Sequence, residues 1–445
     1  MTGSASLPAG PGLLAALEFA PRPFAFLDRC AARWGDWFTL RFPGVVPLVF
    51  TSDPAAIRDA FAGDPDVLHA GEGNAPLGAF MGGSSVLFLD GASHLARRRL
   101  LLPAFHGDRM HAYGDAIAEI ADRAIDAWPL GTPFRLHDGF REIAFEVILR
   151  TIFGFDHAVE RQRLRALLAR LFAIQRSPAG TLLGIPAFRV ELAGLAPWGR
   201  VVRLRRELDR VLFAEIARRR ARDGGDRSDV LSLLLAARDD GGRALSDEEL
   251  RDELLTLVLA GHETTAAALA WVADALLDRR QVEERARTEV ASLGDDRPSP
   301  ALLPYLDAVA KEASRLAPVV PNVARVLKAP AALGGRELPA GVAIAPCIYL
   351  AHRRADLWPD PERFDPDRFL AARPAPPAFF PFGGGARRCI GAAFASHEIA
   401  VVAARMLART RLERAPGYRA RAVRSGIALA PARGLPVRLV ARYPA

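Results

Sequence analysis

The stretch FGGGARRCIG, residues 382–391, sets a cysteine behind three glycines and two arginines. Glycines ahead of a helix often bind phosphate, but no Gly-Lys-Ser/Thr follows here, and Arg388 stands where a dinucleotide fingerprint has its third glycine. We therefore exclude phosphate binding. The stretch offers instead a backbone that can approach a flat ligand closely, a positive charge, and a sulfur at a helix start, where free amides and the helix dipole favour the thiolate.

A thiolate at Cys389 can bind iron, and in a haem it donates electron density that favours O–O cleavage. Arg387 could pair with a haem propionate through charge-assisted hydrogen bonds. The other cysteines, Cys30 and Cys347, lie far away in the sequence, so neither a disulfide framework nor a paired zinc site is predicted. These residues indicate a haem-thiolate site in a reducing, cytoplasmic setting.

Chemistry with dioxygen also needs protons, and LVLAGHETTAAALAW, residues 257–271, carries an acid and an alcohol within an apolar helix. Neighbouring helical residues point about 100° apart, so Glu263 and Thr264 would act together only through a distorted turn and water. Gly261 costs such a helix about 1 kcal/mol relative to alanine, which predicts close approach of a ligand or a local opening of the helix. We assign His262 to packing or to the surface.

Two further helical stretches place charged residues on one face. Glu312 and Arg315 stand three apart in YLDAVAKEASRLAP, where they can form an ion pair. His94 and Arg98 stand four apart in GASHLARRRLLLPAF, so both side chains can face one anionic group. Either pattern also occurs on ordinary protein surfaces, and it is Cys389 that gives them a functional meaning.

The elements that must position these residues are mainly helical. DWFTLRFPGVVPLVFTSDP, residues 36–54, predicts a β-hairpin around a Pro-Gly turn. Ser246 and Glu249 form a capping-box pattern that predicts the start of a helix. Apolar periodicity predicts helices at 108–128, 140–153, 159–176, 199–221, 228–238, 247–279, 301–316 and 391–409. We predict a mainly α fold with small β-sheets in one domain, 1–445, with a β-rich part at about 30–60, a helical bulk at about 92–318 and the cysteine loop at 382–391.

Composition sets further limits. With 445 residues and an apolar fraction of 50%, the chain can bury a large core. Its formal charge is +8, and Lys311 and Lys328 are its only lysines. The arginines are spread along the chain rather than gathered into a stripe, which argues against nucleic acid as a partner. The N-terminal apolar run GLLAALEFA is too short for a membrane span, so we expect neither a membrane anchor nor a signal peptide.

The pattern Phe382-x-x-Gly385-x-Arg387-x-Cys389-x-Gly391 resembles the haem-binding signature of the cytochrome P450 family at every fixed position. The resemblance extends from the hairpin to IALAPARGLPV, residues 427–437, and implies the cytochrome P450 fold and a haem b ligated by Cys389, with Phe382 and Gly261 beside it. Ala260-Gly261-x-Glu263-Thr264-Thr265 is similar to the family's oxygen-activation segment. This implies that Thr264 holds the bound dioxygen and that Glu263, where many members have aspartate, relays protons.

The resemblance also assigns roles to the charged residues. Glu312 and Arg315 resemble the family's Glu-x-x-Arg motif, a structural pair that binds a third residue, an arginine ahead of the cysteine loop. For that third residue the letters of PERF favour Arg363, whereas the family pattern favours Arg368 in PDRF, which we choose. The residues implied to bind the haem propionates are His94, Arg98, Arg325 and Arg387.

The implied function is a haem-thiolate monooxygenase that hydroxylates or epoxidises a lipophilic substrate with O2. By analogy with the family, the walls of the substrate pocket would come from about 68–90, 170–200, 258–264, 318–323 and the turn near 427. These segments are mostly apolar, which predicts a fatty acid, a terpenoid or a polyketide. Electrons from NAD(P)H should arrive through a ferredoxin and its reductase or a flavodoxin-type protein, docking near Arg388. The alternatives are a haem-thiolate peroxygenase or isomerase and a non-catalytic haem-binding sensor.

Overall fold

The computed structural model describes residues 6–12, 17–19, 21–42, 44–105, 109–154, 158–183, 188–189, 196–221, 229–294, 296–372 and 374–444. Helices dominate these parts of the chain. In chain order the described α-helices are α1 Pro23–Trp34, α2 Pro54–Ala62, α3 Ala70–Gly73, α4 Gly91–Leu101, α5 Arg109–Ala127, α6 Leu136–Phe153, α7 Ala158–Arg176, α8 Pro178–Leu183, α9 Pro197–Arg220, α10 Val230–Ala236, α11 Asp247–Asp278, α12 Arg280–Ala291, α13 Pro304–Leu316, α14 Ile348–Ala351, α15 Asp367–Ala371 and α16 Ala392–Arg409.

Helix α11 is the longest described helix, with 32 residues, and the other large helices pack around it. Its start is the predicted capping box: the Glu249 amide donates to Ser246 Oγ at 3.2 Å, and the Ser246 amide donates to Glu249 Oε2 at 2.8 Å. These bonds satisfy amides that the helix itself cannot pair. The helix is apolar and long enough to cross a membrane, but 78% of its most apolar window is buried in the protein, as in the core helix of a globular fold.

Gly261 lies at the crossing of α11 and α6. A Cβ at Gly261 would fall 2.8 Å from Cδ1 of Ile148, so glycine is what lets α6 lie this close. The helix is continuous through this point. The predicted local opening and distorted turn are therefore wrong here, and tight helix packing accounts for the glycine.

The strands form small sheets that flank the helices. The five-stranded sheet has the order β1-β2-β8-β5-β3, in which β1 and β2 are the predicted hairpin with Trp37 opposite Thr51. A three-stranded sheet has the order β4-β12-β9, and two hairpins pair β6 with β7 and β10 with β11. The strands are β1 Trp37–Leu40, β2 Leu48–Thr51, β3 Leu68–His69, β4 Pro133–Arg135, β5 Arg325–Leu327, β6 Ala331–Leu333, β7 Arg336–Leu338, β8 Ala343–Pro346, β9 Thr410–Arg414, β10 Ala422–Ser425, β11 Ala428–Pro431 and β12 Pro436–Arg442.

The sequence pattern misses some helices. The N-terminal part predicted as β-rich contains β1 and β2, but α1 and α2 flank them. Helix α12 was not predicted, because its sequence RQVEERARTEVA is mostly charged and buries Ala286 alone. Of the predicted substrate-facing segment 170–200, residues 184–187 and 190–195 lie outside the described residues.

Candidate active site

The cysteine loop is held by its own backbone. The Cys389 amide donates to the carbonyl of Phe382 at 2.9 Å, and the Arg388 amide donates to the carbonyl of Gly385 at 3.1 Å. Helix α16 begins at Ala392, just after the loop. The sulfur is thus presented from a closed loop of defined geometry.

The glycines of this loop pack against α2. Gly383 and Gly385 have φ of 70° and 64°, a left-handed backbone that favours glycine. A Cβ at Gly384 would fall 2.3 Å from the ring of Phe61, and a Cβ at Gly385 would fall 2.0 Å from the Phe61 carbonyl oxygen. Gly384 and Gly385 therefore let the loop approach a helix of the protein closely, and the approach to a flat ligand stays a prediction.

Cys389 differs from Cys30 and Cys347, because it is exposed and they are buried. Protein atoms nevertheless desolvate its thiol. Desolvation by these protein atoms raises the pKa of the thiol, against the smaller lowering effects of the Gly391 amide and the guanidinium groups of Arg98 and Arg388. The predicted preference for the thiolate is thus absent from the polypeptide alone. A bound metal would supply it, because a metal deprotonates its thiol ligand outright.

A cluster of cationic side chains lies beside the cysteine loop. His94 is buried, and desolvation together with Arg387, Arg98 and Arg325 lowers its pKa to about 3, so the ring is neutral. Arg325 is 6% exposed and donates to the carbonyl of Ala324 at 2.8 Å. Burial and the neighbouring Arg387 lower the pKa of Arg325 to about 10. The guanidinium group of Arg387 therefore lies close enough to those of Arg325 and Arg98 to repel both.

This cluster fits a dianionic ligand. Asp90 binds Arg387 and lies near Arg325, which leaves an excess of positive charge. Within the described parts of the chain, the buried Nδ1 atom of His94 has no hydrogen-bond partner. Buried charges and buried ring nitrogens need partners. The two propionates of a haem held at Cys389 would provide both counter-charge and acceptors, so these residues fit the cofactor that the sequence predicts.

The carboxylate of Glu263 is fully buried in α11 and faces α7. Its Oε1 atom accepts a hydrogen bond from Arg176 at 2.6 Å and lies 3.3 Å from Nε2 of His262, while Ser425 donates to Oε2 at 3.5 Å. Desolvation opposes ionisation, but His262 and Arg176 prevail and lower the pKa of the carboxyl to about 2. Glu263 is therefore an ionised, paired carboxylate at neutral pH.

His262 packs inside the protein rather than at its surface. Its ring stacks on Phe172 of α7 with centroids 4.4 Å apart, and Nδ1 lies 3.0 Å from the carbonyl oxygen of Val258. The packing prediction is confirmed, but the contact between Nε2 and Glu263 was not anticipated, because neighbouring helical residues rarely meet.

Thr264 turns its hydroxyl back along the helix. Oγ1 donates to the carbonyl oxygen of Ala260 at 2.6 Å, a common bond for a threonine in a helix. The oxygen keeps lone pairs and can still accept a hydrogen bond from a ligand. Thr264 and Glu263 thus have different partners, and no described contact joins them.

Glu312 and Arg315 form a buried bidentate pair on α13. Arg315 donates through Nε at 2.7 Å and through a terminal nitrogen at 2.9 Å to the two carboxylate oxygens, and both residues are 0% exposed. Arg368 donates to the same carboxylate at 3.2 Å. Arg363 contributes its carbonyl oxygen to Arg315 at 3.1 Å, while its side chain is 69% exposed. The geometry therefore places Arg368, not Arg363, on Glu312.

His352 links this pair to the cysteine loop, a role that the sequence did not reveal. Arg315 donates to the carbonyl of His352 at 2.8 Å, and Nε2 of His352 accepts a hydrogen bond from the Phe380 amide at 2.9 Å. Burial and the nearby arginines lower the pKa of His352 to about 3, which keeps the ring neutral and Nε2 free to accept. Phe380 lies two residues before the loop, so the position of the loop depends on this contact.

Comparison with known proteins identifies the family. A family model described as Cytochrome P450 matches residues 6–433. The chain belongs to the cytochrome P450 family. A Mycobacterium bovis protein, provisionally named cytochrome P450 135B1, is 42% identical over 445 residues, which cover 98% of this chain and 92% of that protein. Cytochrome P450 135A1 of Mycobacterium tuberculosis, also provisionally named, is 40% identical over 379 residues, covering 85% of this chain and 82% of that protein.

Solved structures confirm the predicted fold. The retinoic acid bound cyanobacterial CYP120A1 superimposes with a TM-score of 0.84 at 28% identity, covering 98% of this chain and 100% of that one. The cytochrome P450DA heme domain has a TM-score of 0.81 at 24% identity, with 99% of each chain covered, and shows the fold alone. The protein is thus a cytochrome P450 monooxygenase, an oxidoreductase that acts with a substrate, O2 and redox partners. When bound, the thiolate-ligated haem activates O2 with electrons that derive from NAD(P)H.

The contacts of Glu312 predict different effects at the two candidate arginines. Arg368→Ala should lower the free energy of unfolding by about 1–3 kcal/mol, because it removes a charge-assisted bond to a buried carboxylate. Arg363→Ala is the matched control and should be nearly neutral, since its carbonyl remains. Thermal unfolding and haem content of the purified variants measure this. Equal losses in both variants would contradict the assignment.

The low pKa of Glu263 predicts an acid-sensitive contribution to stability. Because the pKa is lower in the folded than in the unfolded chain, the stabilisation is complete above pH ~4.3 and is lost as the pH falls from there towards about 2. Glu263→Gln should remove this pH dependence, which is on the order of 3 kcal/mol. Exposed Glu248 on α11 provides the control, Glu248→Gln. If the unfolding temperatures of the wild type and Glu263→Gln fell in parallel as the pH is lowered, the ion-pair account would be refuted.

Proposed function

We propose that the enzyme inserts one oxygen atom into a lipophilic substrate, a fatty acid, terpenoid or polyketide, by hydroxylation or epoxidation. The observation that carries this proposal is the apolar packing of α11 close to Thr264. Ala267, one turn along α11, packs with Ala428, Ala430 and Val319 from two other segments. The carboxylate of Glu263, the residue before Thr264, is already paired with Arg176. A substrate at this position would meet apolar groups and little free charge.

A relative supports the substrate class. CYP120A1, the structural neighbour at 28% identity, is described with retinoic acid bound. Retinoic acid is an apolar terpenoid chain with one carboxylate. Together with the apolar lining around α11, this favours an elongated apolar acid or terpenoid as the first compound to test.

The roles of the site residues follow from their surroundings. Cys389 would ligate the haem iron, and Phe382 would lie beside the cofactor at the start of the loop. Gly261 would support the site by letting α6 and α11 pack closely. The groups that would neutralise the propionates are His94, as a neutral donor, and the guanidinium groups of Arg98, Arg325 and Arg387.

Proton supply would depend on Thr264 and Glu263. The Thr264 hydroxyl donates to Ala260, which leaves its oxygen as an acceptor directed by the helix. Glu263 is ionised and can take up a proton only when Arg176 or His262 moves, because these groups hold its pKa low. We therefore assign Thr264 the direct contact and Glu263 a relay role that requires motion of α7 against α11.

Electrons would come from a ferredoxin with its reductase or from a flavodoxin-type protein. Arg388 is exposed on the cysteine loop and lies in a surface depression that also contains Lys311. Positive charge beside the ligand loop suits an acidic redox protein. Unchanged reduction rates of Arg388→Glu with every ferredoxin tested would count against this surface.

We place the enzyme in the cytoplasm as one functional domain. The unpaired cysteines Cys30 and Cys347 are buried as thiols, which suits a reducing compartment. The family match spans residues 6–433, which supports a single unit.

Replacement of the ligand tests the proposed site. The dithionite-reduced wild type with carbon monoxide should show a strongly red-shifted Soret band, and Cys389→Ser should abolish it because the thiolate is lost. Cys347→Ser is the matched control at a buried cysteine and should keep the band. A wild type that binds haem without this band would overturn thiolate ligation by Cys389.

Replacement of Thr264 separates the monooxygenase from its alternatives. With retinoic acid or dodecanoic acid as probe, Thr264→Ala should lower product formed per NAD(P)H by about tenfold or more, since proton delivery fails while electrons still flow. Thr264→Ser keeps the hydroxyl and should stay near the wild type. Equal coupling in Thr264→Ala would refute the role. Turnover with peroxide alone would favour a peroxygenase, turnover without O2 an isomerase, and haem binding without turnover a sensor.

A further inference from the structure

The segment Gly82–Asp90, which leads into α4, has no helix or strand of its own, yet side chains from elsewhere hold its backbone. We call it the 82–90 segment. An irregular segment inside a protein needs partners for its amides and carbonyls, because unpaired buried groups are costly. The identity of these partners indicates what the segment does.

One set of partners comes from the first turns of α11. Asp252 Oδ2 accepts a hydrogen bond from the Ser84 amide at 2.9 Å, and Glu253 Oε1 accepts one from the Val86 amide at 2.7 Å. The carboxylates are 4% and 0% exposed. Buried carboxylates that receive backbone amides hold those amides through charge-assisted bonds.

Arg97 of α4 completes this contact. It is 6% exposed and donates to Glu253 Oε1 and to the Ser84 carbonyl at 2.8 and 2.9 Å, with a further bond to Glu249. The Arg97 guanidinium thus binds a carbonyl of the segment, and Glu253 binds an amide of the segment. Because Arg97 and Glu253 also bind each other, the segment is joined to α11 through both kinds of backbone group. Burial raises the pKa of Glu253 to about 7, although Arg97 and the Val86 amide lower it.

The fit leaves no room at Gly82. A Cβ there would fall 1.5 Å from Oδ1 of Asp252, so the start of the segment lies directly against α11. The carboxylate that accepts a hydrogen bond from the Ser84 amide therefore also packs against Gly82.

The other side of the segment is held by the cysteine loop. Arg387 donates to the Val86 carbonyl at 3.3 Å and also binds the Leu89 carbonyl and Asp90. Val86 is therefore bonded to α11 through its amide, which donates to Glu253, and to the cysteine loop through its carbonyl, which accepts from Arg387. The segment spans the distance between the helix that carries Thr264 and the loop that carries Cys389.

We propose that Glu253 and Arg97 are specificity-positioning residues, which clamp the 82–90 segment between α11 and the cysteine loop and so set the shape of the substrate pocket wall. The proposal rests on the proposed function and on the expectation, drawn from the family resemblance, that residues at about 68–90 line the substrate pocket. Leu87 and Phe88 are the partly buried apolar side chains that the clamp would orient. Neither clamp residue touches the substrate; each acts through the backbone of the segment.

The test compares two iron ligands that differ in their apolar body. Imidazole and 4-phenylimidazole bind a haem iron through the same nitrogen, but the phenyl group must also fit the pocket wall. Spectral titration of each into the haem-loaded protein gives two dissociation constants. Glu253→Ala should change their ratio by about fivefold or more, because the unpaired Val86 amide and Arg97 let the segment shift.

Three variants make the result specific. Glu253→Gln keeps an oxygen that accepts from Val86 and should hold the ratio within about twofold of wild type. Arg97→Lys keeps the charge but loses the planar set of donors, so it should change the ratio of the two dissociation constants by an intermediate amount. It also replaces Glu253→Ala in the test if that variant fails to fold. Glu248→Ala removes an exposed carboxylate of the same helix and should leave the ratio unchanged.

Hydrogen exchange supplies a readout that does not need the haem. The Ser84 and Val86 amides should exchange faster in Glu253→Ala and in Arg97→Lys than in the wild type. Faster exchange with an unchanged ratio would overturn the proposal, because the clamp would then be structural only. Equal loss of both azoles would also overturn it, since the haem site itself would be disturbed. A wild type that binds neither azole would refute the proposed haem site and the clamp with it.

Discussion

The buried pair between Glu312 and Arg315 is the interaction on which the rest of the site depends. The Arg315 guanidinium donates hydrogen bonds to both carboxylate oxygens of Glu312. It also donates to the carbonyls of His352, Pro361 and Arg363, and so fixes the irregular chain between α14 and α15. Breaking one partner of such a pair typically costs about 3–5 kcal/mol, because the other is left charged and buried. A displaced His352 would in turn displace Phe380, whose amide it binds, and with Phe380 the cysteine loop. The pair lies far from the chemistry in sequence and still sets where the sulfur stands.

Arginine plays the same part at several places in the described structure. Arg315, Arg387 and Arg97 each donate to backbone carbonyls of a segment that has no helix or strand to pair them. A guanidinium carries five donors in a rigid plane, whereas a lysine ammonium offers three on a flexible stem. Some of the many arginines are therefore buried and bind the backbone. The sequence alone does not distinguish them from arginines on the solvated surface.

The sequence predicts those parts of the site that depend on local patterns. The loop around Cys389, the capping box of α11 and the pair on α13 are each encoded within about ten residues, and the structure has all three. The reasons for Gly261 and Gly384 were not predictable, because their neighbours, Ile148 and Phe61, are distant in sequence. His352, Arg97 and Glu253 were missed for a related reason: a lone charged or imidazole side chain looks like a surface residue until tertiary structure buries it.

The two sides of the site solve the problem of buried charge in opposite ways. On the α7 side, Glu263 and Arg176 neutralise each other, so this side is complete without a ligand. On the side of α4 and β5, Arg387 repels Arg98 and Arg325 beside a neutral His94, and Asp90 offsets only part of their charge. An anion bound there removes that repulsion in the folded state alone. A haem bound with its propionates at these residues would therefore stabilise the fold, because a ligand that binds only the native chain shifts the folding equilibrium towards it.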